Sequence, residues 1–205
     1  MPKEIRRGSF DEKSTGNEAS TYCNEFERQI GNFLKLGFHT ILDQSIKDYL
    51  SSMPRLQLPQ DKSIESFSKL VIVEPRISSR LQLMQAGFDY YVNNTFVCQA
   101  KTSRIPYVVL LNNNADKGLR EVQTPDENSL TIQEGAALLI SHPNVLNGPP
   151  IALLGSKIYS LVGDSVQEKS PCIYRWSDQR AGIGSDFLGC LEDGGAKPVT
   201  CKRIM

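Results

Sequence analysis

Large apolar side chains are sparse over residues 1–22, where Ile5, Phe10 and Tyr22 stand among four positive charges (Lys3, Arg6, Arg7, Lys13) and four negative ones (Glu4, Asp11, Glu12, Glu18). So little apolar area does not offset the entropy of ordering, which predicts a flexible tail over 1–22 and one globular domain over 23–205. The pattern then turns helical. Phe26, Ile30, Phe33, Leu34 and Gly37 follow a 3.6-residue period, one face of an amphipathic helix, and Gly37 suits a left-handed stop. Leu42, Ile46, Tyr49, Leu50 and Met53 predict a second helix ended by Pro54, so that the two form an antiparallel or angled pair. Residues 54–68 carry no period and predict a loop.

Beyond the loop the signals shorten. The run 70–73 (Leu-Val-Ile-Val) is β-branched and predicts a buried strand. Ser79 with Gln82 three residues on predicts a capping box opening a brief helix that stops at Gly87. Strands are predicted at 90–92 and 96–100, and the strongest at 105–111, with a turn at Asn112-Asn113-Asn114. Thr131 and Glu134 form a second capping box, and its helix, carrying Ile132, Ala136, Leu139 and Ile140, should end at His142 because Pro143 disfavours helix before it. After a turn at 147–150, four strand-like pieces follow at 151–154, 158–162, 172–176 and 187–191. Their short connections favour antiparallel neighbours. The predicted class is α+β, a mainly antiparallel sheet with an N-terminal helix pair and further short helices.

Composition narrows the partners. Lys plus Arg and Asp plus Glu each total 23, so the formal net charge is zero and no general field favours nucleic acid. The longest apolar runs are far below the ~20 residues that cross a bilayer, and no apolar stretch follows the N-terminal charges, so neither a membrane partner nor a secretory signal is expected. Five cysteines, at 23, 98, 172, 190 and 201, are odd in number and irregularly spaced. They read as reduced thiols of a cytoplasmic protein. The sequon Asn93-Asn94-Thr95 reads as chance in that setting.

The order of features resembles a bacterial family catalogued only as a domain of unknown function. Four pieces carry the resemblance: Glu27-Arg28-Gln29 with Gly37-Phe38, Pro106-Tyr107-Val108, the run Leu130-Thr131-Ile132-Gln133-Glu134-Gly135 followed by His142-Pro143, and Leu153-Leu154-Gly155-Ser156. It spans about residues 23–205 and implies a bacterial origin and a shared fold, with no established activity to carry over. It loosens towards the C-terminus. Trp176 and Cys201 correspond to a Trp-Leu-Gly segment and a terminal Ser-x-Cys, Ser185-Asp186-Phe187 replaces a histidine-bearing stretch, and 190–199 reads as an insertion.

Candidate chemistry is thin. Of the two histidines, His39 and His142, the second sits at a helix C-terminus, where a charged imidazole is favoured for structural reasons alone. A thiol nucleophile paired with His142 is nevertheless available from Cys172, Cys190 or Cys201, with Cys201 the candidate singled out, if the fold joins them. Cys172, Cys190 and Cys201 lack the close spacing of a zinc knuckle, so no metal is expected, and no cofactor fingerprint is present. Ser66-Phe67-Ser68-Lys69 has the Ser-x-x-Lys spacing of some hydrolases but leads into a strand, which separates the two side chains. The most suggestive stretch is 175–185. Arg175 and Arg180 can neutralise an anion, Trp176 supplies a flat wall, and Gly182, Gly184 and Ser185 offer a backbone able to turn amides outward. A Gly-rich hairpin turn explains the same glycines. The leading expectation is a module binding a small anionic ligand or a protein partner. An enzyme using a cysteine near His142 or the polar residues of 175–185, and a homo-oligomeric structural protein, are the alternatives.

Overall fold

The computed structural model describes residues 16–56, 68–92, 96–98, 100–112, 128–162, 165–176, 180–184 and 197–204. Helix α1 (Gly16–Lys35) starts well before Phe26, the first residue of the apolar period. Residues 16–22 therefore belong to the helix rather than to a tail, and Tyr22 packs half-buried against the core. Residues 1–15 lie outside the described residues. Phe33 is fully buried, and Gly37, at φ 71°, ends the helix as its lack of a side chain allows.

The predicted second helix is two short ones, α2 (Phe38–Ile41) and α3 (Ile46–Ser51). Asp43 takes a left-handed φ of 51°, a conformation its short polar side chain tolerates, and Ser45 then starts α3 afresh by accepting the Asp48 amide at 3.1 Å. The break splits the expected apolar face. Tyr49 and Met53 are buried, whereas Ile46 and Leu50 are 52% and 40% exposed.

Three small sheets surround the core. In the first, β1 (Lys69–Val73), β4 (Tyr107–Asn112) and β11 (Thr200–Ile204) lie in the order β1-β4-β11, all antiparallel. The second runs β10 (Lys197–Pro198), β5 (Ile151–Ala152), β8 (Cys172–Arg175), β9 (Ala181–Gly184), β2 (Asp89–Tyr91). Its two outer pairs are parallel and its inner pairs antiparallel. The third is β3 (Phe96–Cys98), β6 (Ser156–Val162), β7 (Ser165–Lys169), again antiparallel. The fold is α+β and rich in antiparallel pairing. The strand-like pieces at 151–154, 158–162 and 172–176 are divided between two sheets, and 187–191 falls outside the described residues.

Helix α5 (Ile132–Ser141) is the hub, packing on β1, β9 and on α4 (Ser79–Gln85). Every position except Gln133 is buried, the signature of a helix covered on all sides rather than along one stripe. Its capping box is formed as expected. Thr131 Oγ1 accepts the Glu134 amide at 3.3 Å, and Glu134 Oε2 accepts the Thr131 amide at 2.8 Å. The cap of α4 is one residue earlier than predicted, at Ser78, whose hydroxyl accepts the Leu81 amide. Ser79 is released to donate to Gln133 Oε1 at 2.6 Å, while Gln82 donates to the Glu74 and Ile77 carbonyls, each at 2.7 Å. Buried backbone oxygens outcompeted the local cap. Among the described residues no helix is long and apolar enough to cross a membrane.

Candidate functional site

Among the described residues strand β1 stands at the edge of its sheet, and its outer edge is met by side chains. Gln29 of α1, fully buried, donates Nε2 to the Leu70 carbonyl at 2.6 Å and accepts the Ile72 amide on Oε1 at 2.8 Å. Its primary amide therefore imitates a paired peptide group, which is how a buried strand edge escapes an unpaired donor and acceptor. Its remaining capacity is also used: Nε2 donates to Glu25 Oε1 at 2.6 Å, and Oε1 accepts the Ser141 hydroxyl at 3.0 Å. Gln29 lies between Phe26 and Phe33 on the apolar stripe of α1, and a polar residue at the centre of such a stripe is a signal that sequence reasoning passed over.

One helical turn carries the charged part of the site. Glu25, Arg28 and Gln29 stand at i, i+3 and i+4, which places them side by side. Arg28 grips Glu25 through Nε at 2.8 Å and Nη2 at 2.5 Å, and Nη2 also donates to the Ser141 carbonyl at the end of α5 at 2.6 Å. His142, the C-cap of α5, brings Nε2 to 2.9 Å from the Leu70 carbonyl and 3.5 Å from Glu25 Oε1. A carbonyl only accepts, so Nε2 carries the proton and the neutral ring keeps its lone pair on Nδ1. Burial pushes the His142 pKa down, aided by the charges of Arg28 and Lys69 and opposed by the Leu70 carbonyl and Glu25. Burial by itself would raise the Glu25 carboxyl, but the hydrogen bonds from Arg28 and Gln29 outweigh it and hold the group below the usual carboxylate range.

These groups open onto a cleft of about 390 Å³, bounded by Tyr22, Glu25 and Arg28 of α1, by Ser68, Lys69 and Leu70, and by His142. Ile72 turns its amide and Leu70 its carbonyl to the outer edge of β1, so the alternation of an antiparallel strand turns the Leu70 amide to that edge as well.

The 175–185 segment has a different construction from the anion loop expected of it. Residues 181–184 are strand β9, with β8 along one edge and β2 along the other, so Gly182 and Gly184 belong to a ladder and do not turn free amides outward. The glycines are there for closeness. A Cβ on Gly182 would lie 1.9 Å from the Asp89 carbonyl oxygen, and one on Gly184 would lie 2.5 Å from the Tyr174 hydroxyl. Arg180 is bound to Asp89, with Nε 3.3 Å from Oδ2, and covers the rings of Tyr91 and Trp176. Arg175 is exposed at the end of β8, opposite Ala181. Ser185 lies outside the described residues.

His142 and Cys201 are not brought together. His142 touches the outer edge of β1, whereas Cys201 pairs with Leu111, which pairs with Lys69, so it stands two strand spacings away, about 9–10 Å. The Cys201 thiol is buried within electrostatic reach of Tyr107 and Arg203. Cys172 is buried as a small hydrophobe, and Cys190 and Ser66 lie outside the described residues. Glu134, which sequence reasoning assigned only a cap, also holds the buried Arg203.

No known family, curated protein or solved structure matches this chain. Function must therefore be argued from the site itself.

Proposed function

We propose that the protein is a bacterial, cytoplasmic binding module that takes a small carboxylate- or phosphate-bearing ligand in the cleft beside β1. The observation that carries this reading is the convergence of Arg28, Lys69 and His142 on one cleft of about 390 Å³. That volume suits a metabolite-sized ligand. Among the described residues two permanent cations face one carboxylate there, and Glu25 is already engaged by Arg28, so that Lys69 has no fixed anion among them and the Leu70 amide is a directional donor. Within the 175–185 segment Gly182 and Gly184 are paired in a ladder, which removes the free amides expected there and supports the cleft over that segment.

A screen of carboxylated and phosphorylated metabolites by thermal shift, followed by calorimetric titration, tests the reading. Lys69→Ala should weaken a bound anion about 10-fold or more, since a charge-assisted hydrogen bond contributes ~1.5–3 kcal/mol. An affinity unchanged in that variant would exclude the cleft.

The approach of His142 to Glu25, 3.5 Å, favours a second reading, an acid–base enzyme using the Nδ1 lone pair. Recovery of every bound ligand chemically unchanged decides for the module.

A further inference from the structure

A second arrangement lies away from the cleft and involves the only tryptophan of the chain. Trp176, just after β8, meets Tyr91 of β2 edge to face, with ring centroids 5.0 Å apart, and Tyr174 stands 4.8 Å from it on the same strand end. Arg180 spreads its guanidinium over this aromatic group, 5.1 Å from the Tyr91 centroid and 5.7 Å from that of Trp176, with Asp89 alongside. A planar cation on electron-rich rings beside a carboxylate is the chemistry by which proteins recognise guanidinium groups.

The occupant is the chain's own side chain, and it is held lightly. Arg180 and Asp89 are 52% and 38% exposed and meet through one nitrogen at 3.3 Å, and an exposed pair of this kind contributes little in water. Nor does the fold require it. The β2–β9 register is set by the ladder and by the close approach of Gly182 to the Asp89 backbone, and the Arg180 carbonyl already accepts the Trp176 amide at 3.1 Å. Among the described residues the Arg180 side chain is the cation over the Tyr91 and Trp176 rings, and it has to swing outward to vacate them.

We infer that Tyr91, Trp176 and Asp89 form a docking site for an arginine side chain of a partner polypeptide, which Arg180 fills until the partner displaces it. The guanidinium seated there shows which cation the rings and the carboxylate accept. Tyrosine, tryptophan and arginine are also the residues that most often anchor protein interfaces. Arg180 thus acts as an internal competitor, and the apparent affinity of the site is reduced by the fraction of time it is filled.

The test is a titration of the full chain with a short acetylated, amidated peptide, Gly-Arg-Gly, followed by Trp176 fluorescence, and with the same peptide carrying neutral citrulline in place of arginine. Arg180→Ala should bind the arginine peptide about 10-fold more tightly than the wild type, because the competing state is removed. Adding Asp89→Asn should reverse most of that gain, and the citrulline peptide should leave the emission unchanged. Arg180→Gln, which keeps the aliphatic stem, should reproduce the gain and serves if the alanine variant fails a circular-dichroism check of folding. Equal affinity of wild type and both Arg180 variants, or citrulline binding as tight as arginine, overturns the inference.

Discussion

Arg203→Met probes what ties the C-terminal strand to the hub helix. Arg203 donates Nε to Glu134 Oε1 at 2.6 Å and Nη2 to Glu134 Oε2 and the Ser129 carbonyl, both at 2.8 Å. The side chains of Arg203 and Glu134 are 7% and 0% exposed. The carboxylate also accepts the Tyr107 hydroxyl at 3.0 Å, the Thr131 amide at 2.8 Å and the Thr131 hydroxyl at 3.0 Å. Burial acting alone would make the guanidinium easier to deprotonate, yet the bonds and charge of Glu134 raise its pKa, and burial followed by the same carboxylate raises that of Tyr107. Methionine keeps the volume but leaves the carboxylate buried without its counter-charge, at about 3–5 kcal/mol. Whole domains are stable by only ~5–15 kcal/mol, so the variant should lose a large share of its stability. Taking a urea slope of about 2 kcal/mol per molar, the midpoint should fall by roughly 2 M. Glu134→Leu should lose about as much. The double variant carries no buried charge at this site and should lose far less than the sum, chiefly the ~1 kcal/mol of the α5 cap. Additive losses in equilibrium urea unfolding would refute the account, because the two charges would then not depend on one another.

Three further outcomes are expected. Gly182→Ala places a Cβ 1.9 Å from the Asp89 carbonyl oxygen, a backbone atom that cannot give way without parting β2 from β9, so thermal unfolding should show a loss of about 3 kcal/mol or more. Gln29→Leu keeps the volume of the edge residue but strands the Ile72 amide, which should reduce stability by about 1–3 kcal/mol and expose that amide to hydrogen exchange, whereas full protection of Ile72 would show another acceptor. Stability should also fall in two steps with acid. The pKa of His142 is lower folded than unfolded, so the unfolded chain takes up a proton first and stability declines as pH drops below about 6.5. The pKa of Glu25 is also depressed, so its contribution is present above 4.5 and is lost as pH falls through the folded value. His142→Gln should erase the first step in urea midpoints measured from pH 8 to 5, and an unaltered profile would mean that another group titrates there.

What could be read in the chain alone was local. The Thr131–Glu134 box, the stop at Gly37 and the buried run at 70–73 each need only a few neighbouring residues, and each proved to be where it was expected, whereas the run predicted over 105–111 begins as a strand only at Tyr107 and leaves Ile105 70% exposed. The failures share one origin, partners distant in sequence. Ser78 displaced Ser79 as the cap because Ser79 and Gln82 found oxygens elsewhere, one of them on Gln133. The strand at 181–184 escaped notice because two glycines read as a turn until β8 and β2 pressed against them. Gln29 was an unremarked polar residue until the edge of β1, 41 residues away, required its amide, and the cleft exists only because that edge, α1 and the end of α5 meet. Propensity and capping are settled by energies within one turn of chain, so sequence by itself determined the class and most of the elements. The candidate site needed buried polar groups from three elements to satisfy one another, and only the tertiary structure could decide which ones meet.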